Sequence, residues 1–100
     1  MLIIPAARAA VSKELAKDGL TQAKKAKILG TTQAAISKYL NGDYSSKIKA
    51  IEKQIVAAGI SKKIAVMVLD GATSKDVSSS LDGIARQKAI LKTALRLAKQ

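Results

Sequence analysis

Gln33, Ala34, Ser37, Lys38 and Asn41 stand within nine residues of one another. Projected on a helix at roughly 100° per residue, they share one side. Ala35, Ile36 and Tyr39 fall on the other, with Leu40 at the border. One face can therefore pack while its opposite carries short or medium polar groups of mixed donor and acceptor type. Glu and Lys usually serve a merely solvated face, so this set calls for a different surface. The edges of base pairs fit it. Gln can pair with N6 and N7 of adenine, Ser bonds in either sense, and Ala permits close approach and meets a thymine methyl. Lys47, further along, is placed to reach a phosphate at the start of the next helix, where the helix N-terminus also attracts anions.

A helix that reads bases must be held outward by a neighbour. The stretch QAKKAKIL, with Thr21 as its N-cap, predicts a short helix stopped by Gly30. Thr31 or Thr32 then caps QAAISKYL, which ends at Asn41-Gly42. Two helices crossing steeply need a small residue at their contact, a Gly where the backbone takes positive φ, and a branched apolar residue in the second helix. Ala26, Gly30 and Ile36 meet these needs.

The segment LTQAKKAKILGTTQAAISKYLNG, about residues 20–42, resembles the helix-turn-helix of the Cro and phage-repressor (XRE-like) regulators. A looser likeness reaches back through IPAARAAVSKELAKDGLTQ to small archaeal predicted transcriptional regulators. The resemblance implies a helical bundle whose second motif helix enters the major groove, acting as a dimer. By motif position it implies that Thr32, Gln33, Ala34, Ser37, Lys38 and Asn41 face bases or nearby phosphates. It also implies that Gln22 holds a phosphate and braces Gln33. Lys25 departs from the pattern, standing where the family usually has an apolar residue. Its stem is expected to snorkel along the surface, with Ile28 supplying the packing.

The remaining elements read as helices too. Pro5 suits the first turn of a helix over AARAAVSKELAKD, with Ala7, Ala10, Val11 and Leu15 on one face. Ile48, Ile51, Ile55 and Val56 form one stripe of a fourth helix. Ser61 is the expected cap of an apolar fifth, KKIAVMVL. Gly71 to Ser80 reads as a loop or single turn. Ser79 with Asp82 reads as a capping pair ahead of a last helix over residues 81–99. Leu81, Ile84, Leu91, Leu95 and Ala98 would give that helix a near-heptad stripe, either a core face or a dimer seam. Strand signals are absent. The expected fold is all-α: a small helical bundle with a helix-turn-helix over residues 1–58, then helices over residues 59–100 that dimerise or complete the core.

Composition narrows the function. The chain has 100 residues, 18 Lys and Arg against 7 acids, and a net charge of +11. Such a surplus favours a polyanionic partner. It is spread, with 7 basic and 3 acidic residues up to Ser46 and 11 basic and 4 acidic after it. There is no Cys and no His, so thiolate chemistry and the commonest general base and metal ligand are missing. The seven carboxylates show no paired or metal-ligand spacing, and no Gly-rich phosphate loop appears. An enzyme, a metal site, a cofactor and a small-molecule ligand are all unexpected. No stretch is long enough to span a bilayer, and the cytoplasm is the expected location. The expectation is a sequence-specific binder of double-stranded DNA, a transcription regulator acting as a homodimer. The alternatives are a non-specific architectural DNA-binding protein and an antitoxin-like protein-interaction module. RNA binding lacks the surface aromatics that stack unpaired bases.

Overall fold

Alanine shapes the first element. Helix α1 (Ile3–Lys17) carries Ala6, Ala7, Ala9 and Ala10 fully buried, together with Ile3, Val11, Ser12 and Leu15. A helix buried on so much of its circumference belongs inside its domain. Its small side chains let neighbouring helices approach. Helix α1 is in contact with each of the other six helices. Pro5 lies in its first turn, where its missing N–H has no intrahelical partner to lose, and the helix begins two residues before it.

The computed structural model describes residues 2–100; Met1, at the head of the expected first segment, lies outside them. The described residues form a compact all-α globule of seven helices without strands, with a radius of gyration of 12.5 Å. After α1 come α2 (Gln22–Leu29), α3 (Gln33–Asn41), α4 (Ser46–Ala57), α5 (Ile60–Leu69), α6 (Ser74–Ile84) and α7 (Lys88–Ala98). One core gathers aliphatic residues from all seven, so residues 59–100 contribute Ile64, Val77, Leu81, Ile84 and Ile90 to the core that α1 runs through.

Local signals fix the ends of α2 and α3. Thr21 Oγ1 accepts from the Lys24 amide, and Thr32 Oγ1 from the Ala35 amide at 3.1 Å. Thr32, not Thr31, is therefore the cap. Gly30 (φ +66°) and Gly42 (φ +70°) take the left-handed conformation that ends a helix. After each, the next amide folds back across the last turn, Thr31 to the Ala26 carbonyl and Asp43 to that of Lys38, both at 2.9 Å.

The second half departs from expectation at several points. Gly71 to Ser80 is not a loop, because α6 begins inside it. Thr73 Oγ1 accepts from the Asp76 amide and Asp76 Oδ2 from the Thr73 amide, a reciprocal capping box. Ser79 and Asp82 lie within α6 and cap nothing. The expected helix over residues 81–99 is two helices, parted by a turn in which the Arg86 and Gln87 amides bond back only three residues. Its stripe is thereby divided. Leu81 and Ile84 enter the core from α6, while on α7 Leu95 is 54% exposed and Ala98 is also exposed. Ser61 does not cap α5; it is buried within the first turn, and Gly59 precedes the helix with positive φ. Val56 is 46% exposed and leaves the α4 stripe to Ile51 and Ile55.

The capping box gives a direct test. Thr73→Ala is expected to destabilise the protein by about 1 kcal/mol, read from urea denaturation. A change within experimental scatter would show that α6 is held by packing alone.

Candidate nucleic-acid interface

Ile36 is fully buried, and it orients α3. With that side chain inside, the other side of the helix faces water. Gln33, Ala34, Lys38 and Asn41 are exposed and Ser37 is half-buried. Ala35, Tyr39 and Leu40 are half-buried on the packed side. The structure thus brings five of the candidate residues together on one ridge, and Thr32 stands at its head as the N-cap. Between Asp18 and Asp43 the chain has no acid, so no carboxylate of α2 or α3 opposes an approaching polyanion. Lys24 and Lys27 are exposed on α2.

Two candidates sit differently from expectation. Gln22 is exposed at the start of α2, and among the described residues no hydrogen bond joins it to Gln33. Lys47 is not free at the α4 N-terminus. Its Nζ donates to the Gln100 carbonyl at 3.2 Å, tying the end of the chain to the first turn of α4. Lys25 is only 2% exposed, so its stem is covered by protein almost entirely. Its methylene stem takes the place of the apolar residue, and Ile28 packs beside the core only in part.

Sequence reasoning missed the groups that hold α3. Arg8 reaches from α1 to the turn between α2 and α3, where its Nε donates to the Leu29 carbonyl at 3.1 Å and its second nitrogen to that of Gly30 at 3.4 Å. A guanidinium at a helix C-terminus satisfies carbonyls that have no helical partner and meets the negative end of the dipole. Its one visible signal is that Arg8 is the lone charge in an alanine run.

The other end of α3 is tied through Tyr44. Its hydroxyl accepts from Lys13 Nζ at 2.7 Å and donates to Glu52 Oε1. Lys13 closes the ring with Glu52 Oε2 at 2.9 Å. The Tyr44 ring meets that of Tyr39 edge to face, centroids 6.0 Å apart at 79°. Helices α1, α3 and α4 are thereby joined around the exit from α3. Lys13 Nζ is also 5.3 Å from the Tyr44 centroid. With 2.7 Å to the hydroxyl, it lies beyond the oxygen rather than over the face, so the contact is a hydrogen bond and not a cation–π pair.

The ring of bonds shifts two protonation equilibria. Burial alone would lower the Lys13 pKa, but the bonds to Tyr44 and Glu52 and the Glu52 charge outweigh it, and the net direction is up from 10.5. Burial raises Tyr44 from 10.0, and its bond to Glu52 adds to this, while Lys13 opposes. A pKa raised by folding contributes stability that is whole below the unfolded value and lost as pH climbs through the folded one. The contribution of these two groups therefore holds throughout the neutral range and is lost in alkali.

Among the described residues no three His, Cys, Asp or Glu side chains cluster as metal ligands, and no helix is long and apolar enough to cross a membrane. Comparison with protein-family models, with curated proteins and with solved structures finds no match to this chain.

Both tethers can be probed. Arg8→Met is expected to cost about 1 kcal/mol and to speed amide exchange at Gly30 and Thr31; unchanged exchange would mean the turn holds itself. For Tyr44→Phe, the stability deficit against the parent is expected to stay level from about pH 6 to 9 and to shrink above about pH 10. Denaturation across that range reads it, and a deficit that grows in alkali would contradict the assigned direction.

Proposed function

We propose that this protein is a sequence-specific binder of double-stranded DNA, a transcription regulator that reads the major groove with α3. The observation carrying this is the ridge of exposed Gln33, Ala34, Lys38 and Asn41 with half-buried Ser37 among them, opposite the fully buried Ile36. Its side chains offer both donors and acceptors, as base edges require, and a small residue at the point of closest approach. The helix has a fixed seat, with ties before and after it. A reading helix must hold its register against the duplex to discriminate bases. The pair α2 and α3, joined through the left-handed Gly30, supports the resemblance to the Cro and phage-repressor helix-turn-helix.

In this reading Gln33 and Ser37 contact bases, with Ala34 against a methyl. Thr32, Lys38 and Asn41 meet bases or the flanking phosphates, and Gln22 reaches a phosphate from α2. Lys47, at the start of α4, is a further phosphate contact that would exchange its bond to the Gln100 carbonyl for one to a phosphate oxygen. Two copies bind a palindrome, matching the two-fold symmetry of such a site.

Selection of binding sites from random duplexes tests this. A palindrome with half-sites one helical turn apart is expected, and equal binding of selected and random duplexes would sink the reading. Gln33→Ala is expected to flatten preference at one base pair. Lys38→Ala should weaken all sequences alike and lower the slope of log affinity against log salt by about 1.

A further inference from the structure

Helix α7 divides into two unlike sides. Ile90 and Ala94 are buried in the core, with Leu91 and Leu97 half-buried beside them. Lys88, Lys92, Arg96 and Lys99 are all exposed. Their spacing of four, four and three residues confines them to an arc of about 80°. The four cations thus form a single ridge about 16 Å long at the helical rise. No acid occurs after Asp82, and among the described residues none of the four joins an ion pair.

A ridge of this kind is held against its own repulsion. Like charges three and four residues apart destabilise a helix, and a cation at the N-terminal residue, as at Lys88, opposes the dipole. Glu interleaved with Lys would give solubility without that penalty. The ridge also has a definite place. Lys47 fastens the Gln100 carbonyl to the first turn of α4, and α4 begins five residues after α3 ends. The end of α7, with Arg96 and the following Lys99, therefore lies beside the start of α4, the helix that follows the reading helix in the chain. Exposed Lys49 lies in that same first turn.

From this placement we propose that the α7 ridge is a second nucleic-acid contact, which tracks the phosphate strand flanking the bases read by α3. It rests on the reading of α3 given above. It supplies affinity without sequence preference, since phosphates carry no base identity. Each neutralised phosphate releases condensed counterions and steepens the salt dependence. The ridge would therefore account for a large share of the total slope.

The test compares the parent with Lys88→Gln/Lys92→Gln/Arg96→Gln, using fluorescence anisotropy on a selected and a random duplex over a range of salt. The variant is expected to bind both duplexes more weakly by the same factor, on the order of tenfold, with a slope lower by about 2 to 3. The preference between the duplexes should be unchanged. Its midpoint of thermal unfolding should equal or exceed the parent's, because repulsion has been relieved. A charge-preserving variant, Lys88→Arg/Lys92→Arg/Arg96→Lys, should keep the parent slope. If the triple Gln variant keeps parental affinity and slope, the ridge proposal falls while the reading of α3 stands. If the parent binds no duplex, both fall. Co-sedimentation with phosphatidylserine vesicles, lost in the Gln variant while duplex binding is kept, would overturn the proposal in favour of a membrane surface.

Discussion

The whole architecture depends on how closely six helices can approach one. Four alanines and a serine on α1 leave almost nothing between that helix and its neighbours, and larger groups interlock around this thin axis. The chain has no Phe and no Trp. It cannot fill a wide interior with rings, so close approach must supply the density that a protein core requires. An aliphatic domain of this size works because its central helix is narrow. Enlarging one of those alanines would push a neighbouring helix outward rather than deform a flexible side chain.

The same helix also governs the polar surface. Arg8 and Lys13, five residues apart on α1, serve the entry and the exit of α3. Arg8 satisfies carbonyls at the preceding turn, and Lys13 works through Tyr44 and Glu52. The two aromatic residues of the chain meet at that exit instead of lying in the main core. Rigidity at the ridge is thus inherited from the most enclosed element of the fold. Pre-organisation of this sort lowers the ordering cost of binding a partner.

What the sequence made legible follows from range. Thr21, Gly30, Thr32 and Gly42 act on amides and carbonyls within a turn of themselves, so the limits of α2 and α3 could be read directly. The division of α3 into a packed and a polar side was equally local, because helical period alone produces it. Helix α6 was harder. Its serine-rich start has the composition of a loop, and two capping patterns, Thr73 with Asp76 and Ser79 with Asp82, compete within ten residues. Burial of Val77, Leu81 and Ile84 decides between them, since only the earlier start puts all three on one helix. The ties made by Arg8 and Lys13 cross 21 and 31 residues of chain. No short window contains them, and neither does it reveal how completely the Lys25 stem is covered.

The outward side chains of α3 take almost no part in holding the protein together. Gln33, Ala34, Lys38 and Asn41 touch solvent, while Ile36 alone anchors the helix fully within. Exchanging them leaves the scaffold indifferent, as surface changes away from special contacts generally do. The composition of that outward side and the stability of the frame beneath it are therefore separable, so the one can change while the other is kept.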